Sequence, residues 1–235
     1  MLVSPPLYPG QFGIGPFQIF SISMSDPRQS INKMKTMKMI KTLLTVGCFL
    51  PALALANDVR GNGLTYDYVG IGYAQVRPTT ALRGSLMGVT IEGSKLVHEN
   101  FFVQGAYLDT SAEKWKFRGT EFNTDWDYKQ TQISVGYRQA LKADTDLIAT
   151  VGLVNGKSRI EQVTNTSDRI FPVTVGVKSR LTETLQGSAE GLIVEGNFGY
   201  LLNLQYKISD IYALGGYLRH DKDSDLYALT VRLLF

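Results

Sequence analysis

From about residue 65 to the C-terminal Phe235 one pattern recurs. In short segments bounded by turn residues, every second position is large and apolar or aromatic, and none of the segments is an apolar run of the ~18 residues that a membrane-spanning helix needs. The clearest stretch is residues 198–208, where Phe198, Tyr200, Leu202, Leu204, Tyr206 and Ile208 alternate with small or polar residues. Only a β-strand puts two such sets on opposite faces. The same alternation places Val69, Ile71 and Tyr73 opposite Gly70, Gly72 and Ala74. It also places Met87, Val89 and Ile91 opposite Gly88, Thr90 and Glu92, and Phe171, Val173, Val175 and Val177 opposite Thr174, Gly176 and Lys178.

Segments bounded by turn chemistry predict strands near 65–77, 84–95, 101–110, 127–139, 147–156, 170–180, 184–195, 198–208, 211–220 and 225–235. Their connections alternate in length. Residues 78–83, 111–126, 157–169, 196–197 and 221–224 form one set, and the uniformly short 96–100, 140–146, 181–183 and 209–210 the other. Long loops at one end and tight turns at the other, with strands of about 9–11 residues, are the pattern of a transmembrane barrel. The expected fold is all-β: an antiparallel up-and-down transmembrane β-barrel of ten strands, or of eight if the weak segment 184–195 and its neighbour stand outside the wall.

Alternation alone does not say which face is inside. The charges do. Glu92, Arg138, Lys178, Glu190, Lys207 and Arg232 occupy mid-strand positions on the face opposite the apolar one. Both signs there would be costly in a dry core but can pair or stay hydrated in a small lumen. With Gln104, Gln132 and Gln205 they are the expected polar lining. Tyrosines add two expected girdles: Tyr73, Tyr107, Tyr200, Tyr217 and Tyr227 toward the outer rim, with Tyr137, Tyr206, Tyr212 and Phe235 toward the inner, where amphipathic rings suit a membrane–water boundary. Inward glycines (Gly70, Gly72, Gly88, Gly136, Gly176, Gly199) would leave room for bulky inward neighbours and let curved strands approach.

The composition changes near residue 56. Five of the 24 basic residues (Arg28, Lys33, Lys35, Lys38, Lys41) and one of the 21 acids (Asp26) precede residue 57, so the formal charge of +3 falls to −1 for the remainder. The basic balance therefore belongs to a leader and gives no reason to expect nucleic acid as a partner. Residues 34–56 open with Met-Lys-Thr-Met-Lys-Met-Ile-Lys, continue apolar, and close on Ala54-Leu55-Ala56, which reads as a signal peptide cleaved between Ala56 and Asn57. Lipidation at Cys48 is the alternative. Residues 1–33 are expected to be a non-native, disordered upstream extension, and 57–235 the barrel domain. Cys48 is the only cysteine, so the mature domain has no disulfide, thiol chemistry or zinc–cysteine site, and no cofactor is expected.

The last nine residues carry a recognisable motif: Tyr227, Leu229, Val231 and Leu233 at every second place before a terminal Phe235. It resembles the assembly signal of Gram-negative outer-membrane barrels. Together with Tyr68-Val69-Gly70-Ile71-Gly72-Tyr73, it makes the chain similar in pattern to the broad family of small outer-membrane β-barrel proteins that includes opacity-like and porin-like members. The resemblance implies a monomer exported to the outer membrane of a Gram-negative bacterium and inserted by the barrel assembly machinery. That machinery would read the last strand, chiefly through Phe235. The implied surroundings are the lipid bilayer and lipopolysaccharide.

Candidate chemistry is sparse. His98 falls in a short turn, where a solvated residue is the ordinary outcome. His220 precedes Asp221, Asp223, Ser224 and Asp225 at the outer rim, and Asp125 and Asp127 flank Trp126 there; outer-membrane proteases of the omptin type use acids and a histidine at such a rim, though this sequence lacks their spacing. The three aspartates also offer oxygen ligands at alternating positions for a divalent cation. Trp115, Phe117, Phe122 and Trp126 lie among charges in the longest loop. They are expected either to contact an outside partner or to fold down onto the barrel mouth. The leading reading is a structural or surface-interaction protein of the cell envelope. The alternatives are a narrow porin-like channel for small solutes and a rim-site enzyme acting on peptides or lipid A.

Overall fold

The computed structural model describes residues 63–235 apart from residues 80, 81, 118, 162 and 163. The expected upstream extension, the signal peptide and the cleavage point between Ala56 and Asn57 lie outside the described residues. The strands are β1 (Tyr68–Pro78), β2 (Leu82–Arg83), β3 (Leu86–His98), β4 (Phe101–Ala112), β5 (Trp115–Phe117), β6 (Thr120–Phe122), β7 (Trp126–Lys142), β8 (Thr145–Ile160), β9 (Thr164–Ile170), β10 (Val173–Arg180), β11 (Leu185–Val194), β12 (Asn197–Lys207), β13 (Tyr212–His220) and β14 (Ser224–Leu234).

Ten of them close a barrel in the order β10-β11-β12-β13-β14-β1-β3-β4-β7-β8, with β8 pairing back onto β10. Every wall strand is antiparallel to both neighbours, so the ladder has no free edge around its circumference. The seam between the first and last strands runs in unbroken register from Tyr68↔Leu234 to Pro78↔Ser224. The segment at 184–195 is a full wall strand, β11, so the barrel has ten strands and not eight.

The faces fall as the charges require. Ile71, Tyr73, Ile133, Val151, Val175, Leu202, Leu204, Leu229 and Val231 stand exposed on the outer surface, while Glu92, Arg138, Glu190, Gln205 and Arg232 are buried in the lumen. Tyr137, Tyr206, Tyr212 and Phe235 form the inner aromatic ring on that outer surface. Tyr217 departs from the expected outer girdle: it lines the lumen opposite inward Ala228. Strict period two in β13 leaves no other choice, because Tyr212 faces out and an odd-numbered residue in the same unbroken strand must face in.

The outer connections are more ordered than their composition suggests. Residues 157–169, expected as a loop, complete a hairpin of β8 with β9. Pairing with β8 holds one register from Ile160↔Thr164 down to Thr145↔Ser179, so β9 and β10 are a single strand interrupted at Pro172. Pro172 has no N–H to give, yet its carbonyl still accepts from the Gly152 amide at 2.9 Å. By contrast β11 and β12 join through Glu195 and Gly196, both at positive φ (50° and 79°), the two-residue turn that suits a hairpin's twist. The wall is therefore tall at β7–β8–β9 and low at β11–β12.

Glycine is required at the seam. A Cβ on Gly72 would lie 1.9 Å from the Leu229 carbonyl oxygen, whereas one on outward-facing Gly105 would meet nothing nearer than 3.9 Å. Gly72→Ala is expected to reduce the fraction of protein that runs as a compact, unheated band on a gel, and Gly105→Ala to leave it unchanged.

Candidate functional site: the lumen and its two ends

The lumen is organised by two polar clusters. In the first, Arg232 of β14 lies flat along the inner wall. Its Nε donates to Glu92 Oε1 of β3 at 2.8 Å, and its Nη1 to Gln205 Oε1 of β12 at 3.0 Å. Thr230 adds a hydroxyl to the same Glu92 oxygen at 2.8 Å, and the Tyr68 ring receives the guanidinium at 4.4 Å from its centroid. Two glycines make this posture sterically open. A Cβ on Gly215 would fall 2.3 Å from Arg232 Nε, and one on Gly70 3.0 Å from its Cγ. Arg232 is 1% exposed, so its charge is held by these partners and not by bulk water.

The second cluster sits at the inner end and draws on the chain before β1. Residues 64–67, whose alternation had placed the start of β1 at residue 65, instead cross the inner mouth. Leu64 and Tyr66 pack with Leu96, Phe102 and Ile148. The Tyr66 hydroxyl donates to Asp146 Oδ2 at 2.8 Å, and Arg138 Nε lies 3.4 Å from the same oxygen. Arg138 and Lys178 both stand over the Tyr66 ring, at 4.9 and 3.9 Å. Lys178 donates to the Thr65 carbonyl, while Gln186 exchanges two bonds with Thr65, accepting from its amide at 3.0 Å and donating to its hydroxyl at 2.9 Å. Burial, with Asp146 beside it, pushes the Tyr66 phenol pKa up, so the group stays a neutral donor. Higher on the same side Glu190 accepts from Thr174 at 2.6 Å and Ser188 at 3.1 Å. Phe102 reaches inward over Gly136, where a Cβ would strike its ring.

Of the residues expected to line the lumen, Glu92, Gln104, Gln132, Lys178, Glu190, Gln205 and Arg232 border a central cavity of about 140 Å³. Arg138 is buried at its inner end. Lys207 is different: it reaches the inner rim, where it pairs with Asp210 at 2.7 Å. Sequence reading missed the Tyr66 crossing and the Gly215 shelf. Tyr66 and Tyr68 share the inward parity, so a paired ring at the mouth was accessible from the pattern, but the turn of the chain at residue 67 was not.

At the outer end Trp115, Phe122 and Trp126 turn inward onto the barrel and not toward an outside partner. Trp115 and Trp126 are buried, 5% and 4% exposed, among Val76, Leu86, Leu108 and Leu226. Phe122 stacks on Trp115 at 4.6 Å, and the two indoles meet edge-on at 6.0 Å. Their N–H groups are satisfied by Thr124 and Ser158. The loop folds down as an aromatic lid over the mouth; the Phe117 side chain lies outside the described residues.

The rim acids are dispersed. His220 Nδ1 shares a 2.6 Å hydrogen bond with Asp225, faces outward and stacks on Tyr200. Asp221 faces the other way, accepting from the Asp223 and Ser224 amides and pairing with Arg219 at 3.2 Å. The Ser224 hydroxyl donates to Asp221, away from the imidazole. The expected oxygen set of Asp221, Asp223 and Asp225 is therefore split between a turn cap and a histidine pair, and no group of metal-binding residues forms among the described residues. His98 is the exposed last residue of β3, where its Nδ1 accepts a 3.4 Å bond from the Asn100 amide of the following turn. In the last strand Leu229, Val231, Leu233 and Phe235 face outward, and Lys95 sits 4.6 Å over the Phe235 ring.

No protein-family model matches the chain, and no curated protein matches it. Among solved structures it is similar to Ail, the attachment invasion locus protein of Yersinia pestis (13% identity, TM-score 0.37, covering 72% of this chain and 97% of that one). It is also similar to the outer membrane protein OprG of Pseudomonas aeruginosa (9% identity, TM-score 0.45, 75% and 99%). A third is the N-terminal β-barrel domain of Pseudomonas aeruginosa OprF (12% identity, TM-score 0.38, 73% and 100%). These likenesses assign no role to this chain.

Removing one partner of the central pair tests its weight. Arg232→Met leaves Glu92 buried without its cation and is expected to lower unfolding stability by about 3–5 kcal/mol. The double variant Arg232→Met/Glu92→Gln should recover most of that loss, as read from urea titrations of the folded band.

Proposed function

We propose that this chain is an integral protein of the Gram-negative outer membrane whose lumen is filled and whose role is structural, with surface contact through the parts of its wall that rise above the bilayer. The outer surface supports the membrane setting: a continuous band of aliphatic side chains ends in an aromatic ring at the inner side. Export by a cleaved signal peptide and insertion by the barrel assembly machinery through the Phe235 strand belong to the same reading. So does a monomeric state.

The observation that carries the filled-lumen reading is the Arg232 cluster. Its hydrogen bonds join β12 to β3 across three intervening strands, and ions would have to break it to pass. The Tyr66 crossing and the Trp115–Trp126 lid obstruct the two ends. A narrow channel is the second reading, favoured by the 140 Å³ cavity between the clusters, which is lined by both signs of charge. A rim hydrolase would need a nucleophile beside the imidazole, and Ser224 is engaged by Asp221 instead.

Planar-bilayer recording from purified protein separates the readings. The filled barrel predicts no steady single-channel openings. Steady openings that change on substituting Arg232 would establish the channel.

A further inference from the structure

The register of the tall wall aligns its outward residues in rows. Ile133, Leu153 and Phe171 form the last apolar row across β7, β8 and the strand shared by β9 and β10. The next row outward is Thr131, Asn155 and Arg169; the one after is Lys129, Lys157 and Ser167; the third is Asp127, Arg159 and Asn165. Each row is two residues further along the strand, about 7 Å. Within two steps of the lipid-facing band, one face therefore presents Arg169, Lys129 and Lys157, with Arg159 on the third, all exposed.

This placement is costly for the isolated fold. Lys129 and Lys157 are direct cross-strand neighbours, an arrangement that destabilises a sheet through like-charge repulsion. Asp109 offsets part of it by pairing with Lys129 at 2.7 Å. Lys157, Arg159 and Arg169 have no carboxylate within ion-pair distance among the described residues. Asp168, adjacent to Arg169, has the opposite parity and points to the lumen side, while Asp127 stands directly across from Arg159 in the third row. Among the described residues the opposite side of the barrel has no counterpart: Arg77 covers the Tyr227 ring, Asp225 engages His220, and Phe198 and Tyr200 remain apolar to the rim.

We infer that the outward face of β7–β8–β9 is a docking surface for the phosphate groups of lipid A in the outer leaflet, held by Arg169 and, one row further out, by Lys157 beside Lys129, with Arg159 above them. The occupant follows from continuity. The cations begin one row beyond the apolar band, at the depth where acyl chains give way to phosphorylated headgroups, so an anion fixed to lipid meets them without leaving the membrane. Guanidinium and ammonium groups on a rigid sheet suit phosphate oxygens, and each basic side chain near an anionic surface contributes about fivefold in binding. This inference rests on the membrane reading above and names the lipid partner of that barrel.

The test uses purified protein in zwitterionic micelles, titrated with rough-type lipopolysaccharide and, separately, with the same material after enzymatic removal of its phosphates. The readouts are bound lipopolysaccharide and the temperature at which the compact band is lost. Wild type is expected to bind the phosphorylated form and to gain thermal stability from it. Lys157→Gln/Arg169→Gln should bind about 30-fold more weakly, while Arg77→Gln, on the far side, should bind like wild type. Equal affinity of the double variant and wild type overturns the inference, as does binding that survives dephosphorylation. So does response to a soluble sulfated glycan but not to lipopolysaccharide. The compact band of the double variant in micelles alone confirms that its barrel is intact. Were wild type to show no such band, the membrane reading would fall, and this inference with it.

Discussion

Arg232 is the residue on which the interior depends. A barrel in lipid turns the usual arrangement inside out: apolar side chains face outward, and the polar ones must satisfy one another in a confined lumen. Arg232 does this in two directions at once, toward Glu92 on one side and Gln205 on the other, with Tyr68 beneath and no side chain at Gly70 or Gly215 to lift it from the wall. It couples the N-terminal and C-terminal strands across the seam where the sheet closes. A second cluster around Asp146 satisfies buried charges on β7, β8 and β10, away from that seam, and recruits the Tyr66 segment to them.

The two ends are finished differently. At the inner mouth the chain before β1 is drawn in by Lys178, Gln186 and Asp146. At the outer mouth the longest connection turns its rings inward, while its Lys116–Glu121 pair stays exposed. Trp115, Phe122 and Trp126 pack with side chains of β1, β3, β4, β8 and β14, while β5, β6 and β2 form a small sheet of their own. The wall then rises on the β7–β8–β9 side and drops at Glu195 and Gly196. A surface with a tall polar hairpin and a capped lumen is built for contact along its wall more than for passage through it.

Much of this was legible in the sequence because lipid enforces period two. Ten strands, their inward and outward faces and the polar lining all follow from alternation and from where the charges fall. The weak segment at 184–195 was obscured because outward Ala189 and Gly191 interrupt its apolar face. β9 escaped notice for a different reason: residues 164–170 lie above the lipid, where both faces are wet and no hydrophobic period marks a strand. Tyr217 was misplaced by treating ring and rim as sufficient, when parity with Tyr212 fixed its direction. The tryptophans illustrate a general ambiguity, since aromatics among charges suit an exposed contact and a folded lid equally until their indole partners, Thr124 and Ser158, are known.

The central claim is the direction of the two faces, and residues 57–235 contain no cysteine to complicate a labelling scan. Single cysteines at Leu202, Asn203, Leu204 and Gln205 of β12, each carrying an environment-sensitive fluorophore, would be placed in vesicles containing brominated lipid. The account predicts strong quenching at 202 and 204 and little at 203 and 205. Quenching at 203 and 205 with protection at 202 and 204 would contradict it, and would make the molecule a soluble barrel with its apolar side within.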